Sequence, residues 1–202
     1  FMLGFAYGEL ATYYGDCVLN KGMTLEEAYE AVRTPKKEVM AYAYECLDKA
    51  IELLPDSHTG QQRPTKGVAL GIKARFALYH EDWETAAQAA EQCMNSKVYK
   101  LHDNYGELFK ADSSPELMFY FKGDLTLKKG YGLFDNVYNY VIRKIGGACN
   151  RSPSLELFCS YTCTDGLPIN KSPLYNPKDP FANRDPRLAM TIQPFKTKYS
   201  TD

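Results

Sequence analysis

The chain has 202 residues, with 24 basic side chains against 25 acidic ones and no run of like charge. That length can bury a core as one domain or one and a half. The charge balance excludes a basic face able to displace counterions from phosphate, so no nucleic-acid partner is expected. No apolar run approaches the roughly 20 residues of a membrane-spanning helix.

The first segment, FMLGFAYGEL, has no basic leader and no small-residue cleavage site, so it does not read as a signal peptide. Met2, Leu3, Phe5, Ala6 and Leu10 fall on neighbouring turns, which predicts a helix over 1–14 ended by Gly15-Asp16. It reads as the middle of a helix, in a chain whose beginning is missing or has been removed. Thr24 with Glu27 three residues on makes a capping pair for a short helix, LEEAYEAV. Pro35 opens a longer helix with Val39, Ala43, Cys46, Leu47, Ala50, Ile51 and Leu54 at helical spacing, and Pro55 ends it.

Thr65 caps the next predicted helix, which runs to Tyr79 with Val68, Ala69, Ile72, Ala74, Phe76, Ala77 and Tyr79 on one face. Glu81-Asp82 makes a turn. The following helix carries Trp83, Ala86, Ala87, Ala90, Cys93 and Met94 as its expected inner stripe, which places Trp83, the single tryptophan, in the core. A large residue at the turn and small ones along the stripe make a tetratricopeptide-like hairpin, although the proline that ends such a repeat is lacking. Such hairpins build scaffolds and seldom perform chemistry.

Beyond Tyr99 the character changes. Residues 104–109 read as a single helical turn, and the aromatic run 116–122 as extended. From 123 to 153 and from 162 to 186 the chain is rich in Gly, Asn, Pro and Asp, so these stretches read as loops, where binding usually resides. The fold class expected is all-α: tetratricopeptide-like helical hairpins with long irregular loops and at most a minor β element. Residues 1–110 form the helical core and 111–202 a loop-rich, ligand-side region of the same domain.

Chemistry is sparse. The six cysteines show no C-x2-C pair, so no structural metal site is expected, and nothing predicts a cofactor. Cys46 and Cys93 lie on apolar helix faces as small hydrophobes. Cys149, Cys159 and Cys163 lie close enough in sequence for a disulfide in an oxidising compartment. His58, His80 and His102 sit in connectors or at helix ends. No nucleophile–base–orienter set or phosphate loop stands out, so no catalytic residue is expected.

The ordered landmarks resemble the RagB/SusD family of nutrient-binding outer-membrane lipoproteins of Bacteroidetes. Tyr13 to Leu19 is similar to the family's Tyr/Phe-Gly-Asp-Val-Pro-Leu corner, with Cys17 and the missing proline as departures. The stretches 34–39, 47–50 and 54–55 resemble its next helix. Arg63 to Tyr79, then Asp82-Trp83-Glu84 and Ala86-Ala87, resemble its central hairpin. Tyr99-Lys100-Leu101, Leu108-Phe109, Glu116, Asp165 to Ile169 and Asn183 to Leu188 continue in order.

The resemblance implies a SusD-like α-α superhelix. It also implies non-catalytic capture of a glycan or starch-like oligosaccharide at the cell surface, and delivery to a SusC-like TonB-dependent outer-membrane transporter. Family members are longer, so the sequence reads as an internal fragment whose lipid anchor and C-terminal part lie elsewhere. By order along the chain, the ligand contacts implied are Tyr131, Asn136, Tyr138, Asn139, Tyr140 and Arg143. Tyrosine faces suit the apolar face of a pyranose, and Asn and Arg suit its hydroxyls. Three other readings compete. A peptide-binding RagB-like subunit and a generic tetratricopeptide adaptor need no catalytic residue. An α-helical glycoside hydrolase would need a pair among Glu116, Glu156, Asp165 and Asp185, one with a raised pKa. Asp185 between Arg184 and Arg187 reads instead as a salt-bridged loop anchor.

Overall fold

The computed structural model describes residues 1–58, 63–109, 114–120, 152–194 and 197. Among them the regular structure is helical: α1 (Met2–Tyr14), α2 (Leu25–Glu30), α3 (Lys36–Leu53), α4 (Lys66–Tyr79), α5 (Trp83–Asn95), α6 (Tyr105–Leu108), α7 (Leu155–Ser160) and α8 (Pro186–Thr191). Isolated bridges, Cys17 with Thr34 and Cys163 with Arg184, are the only β pairing among the described residues. The all-α expectation holds.

The chain divides into two compact units, Phe1–His102 with Ser113–Tyr120, and Asp103–Asp112 with Phe121–Asp202.

In the first unit α1 packs on α3, α3 on α4 and α4 on α5. Several helices start where a side chain satisfies a free N–H group. Thr24 accepts from Glu27 N while Glu27 accepts from Thr24 N, a complete capping box. Thr65 accepts from Val68 N and Asp82 from Thr85 N. Pro35 stands at the N-cap of α3, one position earlier than the first helical turn, and Asp16 accepts from Lys36 N at 2.8 Å. Gly15, at φ +73°, closes α1 in a conformation that favours glycine.

The core joins Tyr7 and Ala11 of α1, Val39, Met40, Ala43 and Leu47 of α3, and Val68, Ile72 and Phe76 of α4. Tyr7 is buried without stranding its hydroxyl, which donates to Asn20 O and accepts from Asn20 N. Cys46 and Cys93 are half-buried free thiols.

Three expectations need correction. Trp83 is 61% exposed and outside the core. The stripe of α5 that turns inward is Thr85, Ala86, Ala89, Ala90 and Cys93, small enough for Cys93 Sγ to reach 3.8 Å from Gly67 O. Trp83 lies about 90° round the helix from the centre of that stripe, beside the exposed Ala87 and Met94. Tyr79 is exposed as well.

The third correction concerns 116–120, which is turn and irregular chain and not a strand; 121–122 lie outside the described residues. Its hydrogen bonds go elsewhere: Lys100 N donates to Pro115 O, and His102 N to the Glu116 carboxylate at 2.7 Å. Phe119 then meets Phe1 and Phe5 edge to face, and Met118 covers Gly71. The aromatic run closes the core of the first unit.

In the second unit α6 touches α8. Ser154 caps α7 and Asp185 caps α8, with Pro186 in its first turn. Both short helices lie outside the sequence expectations. The Cys163–Arg184 bridge and the bond from Thr164 N to Asn183 O stitch the 162–167 turn to the 183–185 segment.

Candidate functional site

The six residues expected to contact ligand, Tyr131, Asn136, Tyr138, Asn139, Tyr140 and Arg143, lie outside the described residues, as does Cys149. Cys159 and Cys163 are free thiols, the latter buried.

Within the second unit a hollow of about 270 Å³ is lined by Tyr105, Ser160, Tyr161, Thr162, Asp185 and Arg187. Its walls are fixed from behind by Arg184, which is 5% exposed. One guanidinium nitrogen of Arg184 donates to Phe158 O at 2.7 Å and Tyr161 O at 2.9 Å, and the other to Pro180 O at 3.0 Å. The flat group lies over Phe158 at 4.8 Å and Tyr175 at 5.6 Å from their ring centres. Its Nε has no acceptor among the described residues. Asp185 N donates to Thr162 O, which fixes the next residue of the wall.

The expected salt-bridged anchor is thus two devices. Arg184 anchors the loop through carbonyls. Asp185 pairs with Arg187 in a fork, Nε to both carboxylate oxygens and Nη2 to Oδ2 at 2.5 Å. The Arg187 bonds hold the Asp185 carboxyl below its usual range. Asp185 in turn holds the guanidinium more firmly in its charged form. Tyr105 is itself seated edge to face on Phe109.

The first unit holds a larger hollow, about 510 Å³, lined by Lys36, Lys37, Met40, Ala41, Tyr44, His80 and Asp82. Burial, with a smaller push from Asp82, raises the Tyr44 phenol to about 12. Burial and Lys36 lower the pKa of His80, whose Nε2 lies 3.1 Å from Thr12 Oγ1. Thr12 already donates its proton to Gly8 O, so His80 is the donor in that pair.

The four carboxylates a hydrolase would draw on are each committed. Glu116 accepts from His102 N, and Asp165 from Ser172 Oγ at 2.7 Å and Leu167 N at 3.0 Å. Hydrogen bonds hold Glu156, Asp165 and Asp185 below their usual range, the opposite of what a general acid needs. No group of three His, Cys, Asp or Glu residues among the described ones could hold a metal ion. No helix among them is long and apolar enough to cross a membrane.

The fold itself is known from solved structures. A SusD-like carbohydrate-binding protein from Bacteroides fragilis superposes with a TM-score of 0.76 at 25% identity, over 93% of this chain and 37% of its own. The chain has a SusD-like fold. A second SusD-like protein from Bacteroides fragilis matches at TM-score 0.75 and 24% identity, over 93% of this chain and 40% of that one. A SusD superfamily protein from Bacteroides vulgatus matches at TM-score 0.63 and 21% identity, over 83% and 36%. This chain therefore spans well under half the length of the SusD-like proteins it matches. No protein-family model matches it, and no curated protein does.

Proposed function

We propose that the chain is part of a non-catalytic carbohydrate-binding protein that captures an oligosaccharide at the cell surface and passes it to a SusC-like TonB-dependent transporter. One observation carries the reading: the match to a SusD-like carbohydrate-binding protein over 93% of the chain. The committed, low-pKa carboxylates support binding over hydrolysis. An outer-membrane lipoprotein setting belongs to the same proposal.

Residues 1–110 act as the scaffold and 111–202 as the ligand side, with contacts from Tyr131, Asn136, Tyr138, Asn139, Tyr140 and Arg143. Tyrosine rings offer sugars a flat apolar face, and Asn and Arg pair with vicinal hydroxyls. Paired Tyr138→Ala and Tyr140→Ala substitutions should weaken oligosaccharide binding by about 1–3 kcal/mol, the scale of aromatic burial. Calorimetry on the folded variant checks it; unchanged affinity would remove these two rings from the site.

A further inference from the structure

The Asp185–Arg187 fork does more than hold the fold. Asp185 caps α8 through Arg187 N without it, and although the Asp185 side chain is 14% exposed, the Arg187 side chain is 60% exposed and open to solvent. Yet the guanidinium is held in one orientation by three bonds to the same carboxylate. These bonds engage Nε and Nη2, so Nη1 has no partner among the described residues. Both oxygens of Asp185 are occupied by Arg187, so the carboxylate orients and does not itself offer a free acceptor.

The rest of the lining supplies what the fork lacks. Ser160 Oγ donates to Leu157 O and keeps its lone pairs as acceptors. Thr162 adds a second hydroxyl, and Tyr105 and Tyr161 add aromatic faces with hydroxyl tips. Charge decides the ligand class. Within the lining Arg187 is matched by Asp185, and the Arg184 cation behind the wall spends its N–H groups on backbone carbonyls, so an anion finds no charged donor beyond the one a neutral polyol would use. The volume of about 270 Å³ lies just below the range of drug-sized pockets, enough for one ring and not for a chain. Arg184 holds the wall in place before any ligand arrives, which lowers the ordering cost of binding.

We infer that this hollow is a subsite for a single neutral sugar ring, such as a terminal or branch unit of a glycan. Arg187 Nη1 donates to ring hydroxyls, Tyr105 and Tyr161 flank the ring, and Asp185 is the positioning residue. The inference rests on the carbohydrate-binding reading and adds a place and a ligand class to it.

The test is a titration of the full chain with the methyl glycosides of glucose, galactose and mannose, and with glucuronate, followed by NMR of the tyrosine rings. Tyr105 and Tyr161 are assigned from Y105F and Y161F. Saturable shifts of both rings are expected with at least one neutral glycoside in the high-millimolar range, with glucuronate no tighter. R187K keeps a cation on Asp185 and so keeps the fold, but removes Nη1; it should weaken binding about tenfold. Unmoved rings, or R187K binding as the parent does, would overturn the subsite. Tighter glucuronate binding would overturn the neutral-sugar assignment. If longer oligosaccharides bind while these two rings stay still, only the subsite falls; if no carbohydrate binds at all, the wider reading falls with it.

Discussion

Gly8 lies so close to the Phe76 ring that a methyl group on it would stand 2.5 Å from Cδ2 and 2.6 Å from Cζ. Phe76 is 1% exposed, and Phe5 sits beside it at 6.2 Å, so the ring has nowhere to retreat. Alanine is the better helix former by about 1 kcal/mol. Overpacking a closed core costs about 1–3 kcal/mol. Gly8→Ala is therefore expected to destabilise the protein by up to about 2 kcal/mol. Chemical denaturation checks it; a gain in stability would mean that the α1–α4 contact gives way easily.

Arg184 should matter more. Arg184→Ala leaves the carbonyls of Phe158, Tyr161 and Pro180 without their donor in a buried place. Hydrogen bonds to charged groups contribute about 1.5–3 kcal/mol each, and the effects do not simply add, so a loss of about 3 kcal/mol or more is expected. Arg184→Lys should recover little of it, because an ammonium cannot span the three acceptors while lying flat on two rings. Hydrogen exchange at the Thr164 and Asp185 amides reads the loosening directly; protection equal to the parent's would show that the loop is held by other contacts.

For Trp83 the expectation is a small effect. At 61% exposure, Trp83→Ala should change stability by no more than about 1 kcal/mol. A core role predicts about 3–5 kcal/mol, so the denaturation midpoint separates the two.

His80 gives a pH signature. Its pKa is lowered in the fold by burial, and further by Lys36, so the unfolded chain takes up the proton first. The contribution to stability is complete above the unfolded value of about 6.5 and is lost as pH falls through the lower, folded value. The carboxylates that hydrogen bonds hold below their usual range, Asp165 and Asp185 among them, act only in more acidic solution. The melting temperature should therefore decline as pH falls below about 6.5, and His80→Gln should flatten that part of the curve. An identical slope in the variant would assign the decline to other groups.

The contrast between Thr65 and Trp83 shows what the sequence could reveal. Capping is local chemistry, so Thr24 with Glu27, Thr65 and Asp82 mark helix starts within a few residues of their partners. The inward face of α5 depends on which of two alanine-bearing stripes lets α4 approach. Size favours the one through Ala86, Ala89 and Cys93, while hydrophobicity alone points to Trp83 and Met94. α7 and α8 are too short to show a period, and they are set by Ser154 and Asp185 together with the stitching of Arg184. The hollow of the second unit was half legible. Asp185 and Arg187 stand out as a charged pair, but Tyr105 reaches that hollow from some eighty residues away, which no local pattern encodes.

Non-catalytic oligosaccharide capture is tested by a calorimetric binding screen of the protein against neutral oligosaccharides, with product release followed in the same samples. Saturable binding of at least one oligosaccharide, recovered intact, is expected. Turnover of the sugar by the protein, or the absence of binding to any member of the panel by folded protein, would contradict it.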